Sequence, residues 1–334
     1  MKTLFYKLGV FFMLGATFNT VSANELLDST SDSQPNAAQL VDALNGTFGS
    51  HASFRASHAK GFFATGHFYP DASTSKLIDS KFFSEKKLPA IFRFSVGGGN
   101  PNISDKSRTV RGMSVEITSK SEKYDMVLIS EPAFFAATLE SFVSFLKARI
   151  PDPITKKPDP VKVAAHAEKY PESKIQPALL ASHPAPFSYA TTPYFSTNAF
   201  GFHTKKENLV WARIQVDPMN PLQYLNEQEE KEMPDNFLKK EFEDRLLSSY
   251  IKFNVFAQLQ EDGDSLLDPT QIWQGKRKIK LGELHVEKIA TSNKDDAIIF
   301  FPLQLPKGIR GSNDPILNAR AAAYTVSASR RLQK

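Results

Sequence analysis

An arginine and a tyrosine at helical spacing are the first candidates for chemistry in this sequence. Arg320 and Tyr324 are four residues apart and Arg331 follows further along, so on a helix all three lie near one face. Asp314 and Pro315 are typical of a helix start, and the alanine-rich run that follows favours its continuation. A guanidinium beside a phenol lowers a pKa that is normally about 10, and the resulting phenolate can bind a ferric ion. The alternative is a solvated cationic face with the tyrosine packed at its edge.

Other kinds of active site have little support in the sequence. The chain has no cysteine, which excludes disulfide scaffolds, thiolate zinc sites and cysteine nucleophiles, so any redox chemistry needs a cofactor. The glycine run at 97–99 is not followed by a phosphate-binding lysine, and no Gly-x-Ser-x-Gly motif is present. The histidines include no pair four residues apart on a predicted helix, so a dedicated metal cage is not expected. A hydrolase that uses a serine and a histidine is the weakest alternative.

The net charge is too small to indicate a nucleic-acid partner. The sequence has 41 Lys and Arg residues against 36 Asp and Glu residues, a formal charge of +5. Two of the positive residues, Lys2 and Lys7, lie in a segment that we expect to be removed. The remaining excess is scattered rather than gathered in a basic stripe, so no nucleic-acid partner is expected. With 41% hydrophobic residues over 334 positions, the chain is long enough for one large folded domain.

Residues 1–23 are typical of an export signal peptide. Lys2 and Lys7 give the segment a positive start, and an apolar run follows at Leu8–Phe18. Val21-Ser22-Ala23 then has the small-x-small pattern that signal peptidase accepts. The apolar run is shorter than the roughly 20 residues that cross a bilayer, so we expect no stable membrane anchor after cleavage. The expected location is the periplasm, where a chain without cysteine is spared oxidation.

The rest of the chain predicts an α+β fold. Residues 24–48 are expected to form an N-terminal arm and a short helix around Ala37–Asn45, and residues 49–334 a single domain. Helical patterns occur at Leu139–Arg149, Val161–Lys169, Ser173–Ser182, Asp235–Ser249 and after Pro315. Strands are predicted at Phe62–Phe68, Ala90–Val96, Met113–Thr118, Lys123–Ile129, Ala199–Phe202, Leu209–Val216, Ile251–Leu259, Lys278–Val286 and Ala297–Leu303. This number of strands suits a closed antiparallel β-barrel with packed helices.

Five sequence motifs occur in an order that indicates a family. They are Arg55-Ala56-Ser57-His58-Ala59-Lys60-Gly61, Arg93-Phe94-Ser95, Arg111-Gly112, Pro132-Ala133-Phe134-Phe135 with Phe142 and Phe145, and Asp314 through Arg320 and Tyr324 to Arg331. In this order and spacing, the chain resembles the haem catalases, most closely their short branch, the bacterial catalase-related peroxidases. The resemblance covers about residues 55–332, most of the mature chain.

The resemblance implies a haem b cofactor with Tyr324 as its axial iron ligand, carried by the C-terminal helix. His58 then corresponds to the distal base that moves a proton between the two peroxide oxygens, a task that suits imidazole. Ser95 would fix the tautomer of His58. Arg55 and His58 face opposite ways on a regular strand, so both can reach the cofactor only if the chain is irregular there.

The family also implies further contacts to the cofactor. Arg55, Arg93 and Arg331 would bind the haem propionates, while Arg320 would stabilise the Tyr324 phenolate. On the proximal side the expected partners of Arg320 are His203 and Asp314. Four aromatic residues, Phe134, Phe135, Phe142 and Phe145, would line the distal channel or pack on the haem, with Phe142 as the expected cofactor contact. For aromatic residues at helical spacing, core packing is the alternative.

One departure from the family bears on activity. Longer catalases carry an asparagine two residues before the proline of Pro-x-Phe-Phe, and this chain has Ser130 there. We also expect the protein to lack the long wrapping segment and the C-terminal extension of full-size catalases. We therefore expect an open pocket and a peroxidase that protects against oxidative stress, reducing organic hydroperoxides and hydrogen peroxide with an unidentified donor. The alternative is a non-catalytic protein that binds haem or another apolar ligand on the same barrel. A monomer or a small homo-oligomer is expected.

Overall fold

The centre of the fold is an antiparallel β-barrel. The computed structural model describes residues 34–290 and 297–333. Its strands are β1 (Gly61–Pro70), β2 (Leu88–Val96), β3 (Arg111–Thr118), β4 (Lys123–Ile129), β5 (Tyr194–Phe195), β6 (Phe200–His203), β7 (Leu209–Pro218), β8 (Ile251–Leu259), β9 (Lys278–Ile289) and β10 (Ile309–Gly311). The sheet order is β10-β6-β7-β5-β4-β3-β2-β1-β9-β8, and β7 also pairs with β8. This last pairing closes eight strands into a barrel and confirms the predicted fold, while β6 and β10 extend the sheet beside β7.

Two irregularities help the barrel to curve. The ladder between β1 and β9 shifts register at Thr65 and Gly66, and the ladder between β8 and β9 shifts between Val255 and Phe256. A Cβ atom at Gly66 would lie 1.9 Å from the carbonyl oxygen of His285, so only glycine permits this close approach of two strands. Bulges of this kind increase strand twist, which closure of a small barrel requires.

The side chains of strand β2 alternate between the barrel core and the outer face of the barrel. Phe92 and Phe94 are fully buried, and the ring of Phe94 packs 4.7 Å from that of Phe242. Arg93 and Ser95 point to the other face and are also buried. One strand therefore contributes both to the aromatic core and to the layer that contains the candidate site.

Helices cover the barrel. They are α1 (Ala37–Phe48), α2 (Thr74–Leu77), α3 (Leu139–Lys147), α4 (Pro160–Lys169), α5 (Ile175–Ala181), α6 (Glu227–Glu232), α7 (Phe237–Ser248) and α8 (Pro315–Leu332). Helix α1 packs against both α3 and α8. The side chain of Asp314 caps α8 by accepting the N–H groups of Ile316 and Leu317, as the sequence predicts. No helix among the described residues is long and apolar enough to cross a membrane.

One predicted strand is wrong. The segment Ala297–Leu303 is irregular, with a turn at its end, and strand pairing begins later, at β10. The reason is a competing partner: the carboxylate of Asp125 accepts the Phe301 N–H at 2.7 Å and the side-chain amide of Gln304 at 3.3 Å. The segment is thus fixed by a side chain instead of a strand ladder. The predicted signal peptide and most of the predicted arm lie outside the described residues.

Candidate active site

His58 lies in an irregular segment, as its spacing from Arg55 requires. Residues 51–60 form turns and bends, and both Ser53 (φ 68°) and His58 (φ 54°) have left-handed backbone conformations. This region is unfavourable for residues with a Cβ atom, so the surrounding contacts must hold it. The Ala59 N–H donates to the Gly98 carbonyl at 3.0 Å, next to strand β2. The predicted irregularity is present, and it replaces a regular strand at this point.

The imidazole of His58 contacts the side chain predicted to orient it. Its Nδ1 atom lies 3.0 Å from the Ser95 hydroxyl, which β2 projects away from the barrel core. The ring also packs on Gly112 of β3: a Cβ atom there would lie 2.7 Å from His58 Nδ1 and 2.6 Å from Ser95 Oγ. Gly112 therefore provides the space for this pair. The sequence motif Arg111-Gly112 carried this signal, although it did not show the reason.

The electrostatic environment keeps the His58 imidazole neutral. Desolvation lowers its pKa from 6.5 to about 3, and the positive charges of Arg93 and Arg320 act in the same direction. Since Arg320 belongs to α8 and Arg93 to β2, the imidazole lies within the electrostatic reach of both sides of the site. A neutral ring can accept a proton, which a general base requires.

Arg320 and Tyr324 form the predicted pair on α8. The Tyr324 oxygen accepts two hydrogen bonds from the guanidinium, at 3.0 Å from Nε and 2.8 Å from Nη2. Two donors from one cation suit a phenolate better than a neutral phenol. The pair occupies successive turns of one helix face, so the spacing argument is confirmed.

The predicted partner His203 is wrong. This residue ends β6, is exposed, and makes no hydrogen bond to Arg320, whose Nη1 atom donates instead to Asn198 Oδ1 at 2.8 Å. Asn198 is 2% exposed and stands just before β6, whereas His203 lies at the far end of that strand, where the side chain faces outward. The sequence analysis missed Asn198. The only signal in the sequence that could have indicated this residue is a polar amide between two small residues just before a strand.

Asp314 reaches Arg320 through Asn198 rather than directly. Asn198 Nδ2 donates to Asp314 Oδ2 at 2.6 Å, while Asp314 Oδ1 accepts the first N–H groups of α8. Burial raises the pKa of the Asp314 carboxyl; these hydrogen bonds and the charge of Arg320 act in the opposite direction. The predicted direct contact between Asp314 and Arg320 is therefore wrong, because the Asn198 amide lies between the two side chains.

The three arginines predicted to bind carboxylates cluster at one end of the site. The guanidinium groups of Arg55 and Arg93 lie 5.5 Å and 5.8 Å from the ring centre of Phe63. Arg55 and Arg331 line the same cavity of about 50 Å³, between α1, α8 and the irregular segment. The Ala56 N–H donates to Ser327 Oγ at 3.3 Å, which ties that segment to α8.

The predicted cofactor contact Phe142 belongs to an aromatic cluster on and before α3. Its ring centre lies 5.2 Å from that of Phe135, which in turn lies 4.4 Å from Phe134 and 4.5 Å from Phe145. Phe142 remains half-buried. The packing alternative is therefore present, and a contact with a cofactor stays a prediction.

Ser130, the departure from the family pattern, is engaged with the backbone. Its hydroxyl accepts the Arg111 N–H at 2.9 Å, and the residue is 8% exposed. The hydroxyl thus caps the start of β3. A carboxamide that could orient a bound peroxide is missing from this position.

The donor set fits a haem with a tyrosine ligand. A phenol oxygen beside a guanidinium suits ferric iron, a neutral imidazole suits the opposite face, and a group of arginines suits two propionates. Tyr324 would hold the iron and Arg55 a propionate, while His58 would face the bound haem as the base.

Comparisons with known proteins agree with this arrangement. The family model described as Catalase matches residues 37–334. The chain is 36% identical over 299 residues to a catalase-related peroxidase of Synechococcus elongatus, covering 88% of each protein. It is 29% identical to a catalase-related peroxidase of Mycolicibacterium paratuberculosis, covering 88% of this chain and 94% of that one. A crystal structure of a fungal catalase shares the fold, with a TM-score of 0.76 and 20% identity over 85% of this chain and 61% of that chain. The chain therefore belongs to the catalase family, whose members bind haem.

Proposed function

We propose that this member of the catalase family is a peroxidase that reduces organic hydroperoxides and hydrogen peroxide with an external donor, and protects against oxidative stress. The observation that carries the proposal is the state of Ser130, whose short hydroxyl is bound to the Arg111 N–H. Orientation of hydrogen peroxide beside His58 is then weak, which slows dismutation more than it slows donor oxidation. Two relatives named catalase-related peroxidase support the same assignment.

In the proposed reaction, haem and two side chains of the protein have separate roles in peroxide cleavage. When bound, haem supplies the electrons that cleave the peroxide O–O bond. The free Nε2 atom of neutral His58 takes the proton from one peroxide oxygen and returns it to the oxygen that leaves, while Ser95 holds Nδ1 and so fixes the tautomer.

The arginines support binding of a haem with two propionates, and haem b is the type that we propose. Its two propionates are carboxylates, and the fork geometry of a guanidinium matches a carboxylate with two parallel hydrogen bonds. Arg55 and Arg93 both lie beside Phe63, and Arg55 and Arg331 line the same cavity, which supports a role for these arginines in binding the two propionates. A pyridine haemochrome spectrum of the extracted cofactor identifies haem b, and any other haem type would contradict this assignment.

The proposed location of the protein rests on its N-terminal sequence. The basic start, the apolar run and the small-x-small pattern of residues 1–23 support export to the periplasm, without a membrane anchor in the mature chain. The proposed partners are a peroxide and a small reducing donor, with the protein as a monomer or a small homo-oligomer. N-terminal sequencing of the exported protein tests cleavage before Asn24, and a start at Met1 would contradict it.

Steady-state rates test the proposed activity. We expect the haem-loaded protein to oxidise a phenolic donor with cumene hydroperoxide faster than it releases oxygen from hydrogen peroxide. Ser130→Asn restores a carboxamide and should raise oxygen release relative to donor oxidation, whereas Ser130→Ala, the matched control, should not. Dismutation that greatly outpaces donor oxidation in the unmodified protein would refute the proposal.

A further inference from the structure

The proximal side of the site contains a chain of polar groups that joins the buried residues Asp314 and Asn198 to the half-buried Arg320 and Tyr324. The Asp314 carboxylate accepts from the Asn198 side-chain amide, the Asn198 amide oxygen accepts from Arg320, and Arg320 donates to the Tyr324 oxygen. The amide orientation is fixed by its neighbours, since a guanidinium can only donate and a carboxylate can only accept in these contacts. Each group in the chain thus has one possible arrangement.

Asn198 is anchored to the barrel as well as to the helix. The backbone carbonyl of Asn198 accepts a hydrogen bond from the Ser196 hydroxyl at 3.0 Å. The same hydroxyl accepts the Ile214 N–H of β7 at 2.7 Å. At 2% exposure, the amide has no freedom to exchange its partners for water. It therefore holds Arg320 at a fixed place relative to the barrel.

The neutral amide also separates two opposite charges. A buried carboxylate in direct contact with the Arg320 guanidinium would pair with it and compete with the Tyr324 oxygen for its charge. Instead, Asn198 lies between the Asp314 carboxylate and Arg320. The carboxylate is held at the start of α8 by the Ile316 and Leu317 N–H groups. More of the guanidinium charge is then available to the phenol oxygen.

We propose that Asn198 is a positioning residue that fixes Arg320 on Tyr324 and insulates it from Asp314, and thereby sets how strongly Tyr324 donates to iron. The inference rests on the proposed role of Tyr324 as the axial ligand. Hydrogen bonds and charges next to an axial ligand are among the means by which a protein adjusts the reduction potential of haem iron. The expected readout is therefore the midpoint potential of the ferric/ferrous couple.

Two near-isosteric substitutions shift that potential in opposite directions. Asn198→Asp adds a carboxylate next to Arg320 and should move the midpoint potential to a more negative value. Asp314→Asn removes the distant negative charge, keeps a helix cap, and should move it to a more positive value. Simple damage to the packing would shift both variants the same way. Asn318→Asp is the matched control, because it adds the same charge to an exposed position on the first turn of α8, without contact to Arg320.

The experiment is spectroelectrochemical titration of the haem-loaded protein at pH 8.5. Opposite shifts in Asn198→Asp and Asp314→Asn, both larger than the shift in Asn318→Asp, support the inference. Shifts in the same direction, or shifts no larger than the control, overturn it. If Asn198→Asp does not retain haem, the sign of the Asp314→Asn shift alone decides. Tyr324→Phe distinguishes failure of the proposed peroxidase function from failure of the inference about Asn198. If the haem spectrum and the midpoint potential are unchanged in this variant, Tyr324 is not the axial ligand and both proposals fall. If the unmodified protein shows no peroxide turnover, only the proposed function fails, because the midpoint potentials of the Asn198 and Asp314 variants can still be measured.

Discussion

Two buried groups should give the stability of this protein opposite dependences on pH. His58 has a pKa lowered to about 3, first by desolvation and then by the charges of Arg93 and Arg320. Asp125 has a pKa raised from 3.8 to about 7, mainly by desolvation, against the hydrogen bonds from Phe301 and Gln304. We expect the two contributions to cancel in the unmodified protein and to appear separately in the variants His58→Asn and Asp125→Asn.

The signs follow from proton binding in the folded and unfolded states. Between pH 6.5 and about 3 the unfolded chain protonates His58 and the folded protein does not, so the contribution of His58 is present above pH 6.5 and lost as pH falls. Between pH 7 and 3.8 the folded protein protonates Asp125 and the unfolded chain does not, so this contribution is lost as pH rises. At about 1.4 kcal/mol per pH unit, each amounts to about 3 kcal/mol between pH 7.5 and pH 4.5.

Urea unfolding of the haem-loaded protein at pH 7.5 and pH 4.5, followed by circular dichroism, measures these terms. The stability difference between His58→Asn and the unmodified protein should move in favour of the variant by about 3 kcal/mol on acidification. For Asp125→Asn it should move against the variant by a similar amount. All other titrating groups are shared and drop out of the difference, and the stability of the double variant should depend on pH in the same way as that of the unmodified protein. Variants whose stability differences do not change with pH would refute the reasoning.

Three other substitutions test the site and the core. Gly112→Ala introduces a Cβ atom 2.6 Å from Ser95 Oγ and 2.7 Å from His58 Nδ1, so we expect kcat/KM for peroxide to fall about 100-fold with haem content retained; full activity would show that the ring can move aside. Tyr324→Phe removes the phenol oxygen, and the visible spectrum of the ferric haem should change or be lost; a spectrum identical to that of the unmodified protein would contradict the axial assignment. Phe94→Ala empties a fully buried position and should cost about 3–5 kcal/mol in urea unfolding; a loss below 1 kcal/mol would mean that the core collapses around the gap.

The parts of the site that the sequence predicted are those set by short-range spacing. Arg320 and Tyr324 meet because four residues make one helical turn, and Arg93 and Ser95 share a face because strands alternate. Irregularity around His58 followed from the same geometry. These contacts need no knowledge of how distant segments pack.

The errors concern contacts between distant segments. His203 was expected to hold Arg320 because of its residue type, but the chain direction through β6 brings Asn198 to that point and turns His203 outward. The apolar pattern of Ala297–Leu303 predicted a strand, but a carboxylate from β4 binds the backbone there first. A pattern cannot show which buried polar group will compete for a backbone N–H.

Helix α8 couples the two faces of the site. It carries Tyr324 and, three residues further on, Ser327. The Ser327 hydroxyl accepts the N–H of Ala56, which is two residues before His58 in the sequence. The segment that contains His58 has no ladder of its own, so its position depends on this contact, on the Gly98 carbonyl beside β2 and on the Ser95 hydroxyl of β2. The imidazole is therefore tied both to the helix that carries the phenol and to the barrel. Contacts from these two elements hold the base in place on an irregular, left-handed backbone.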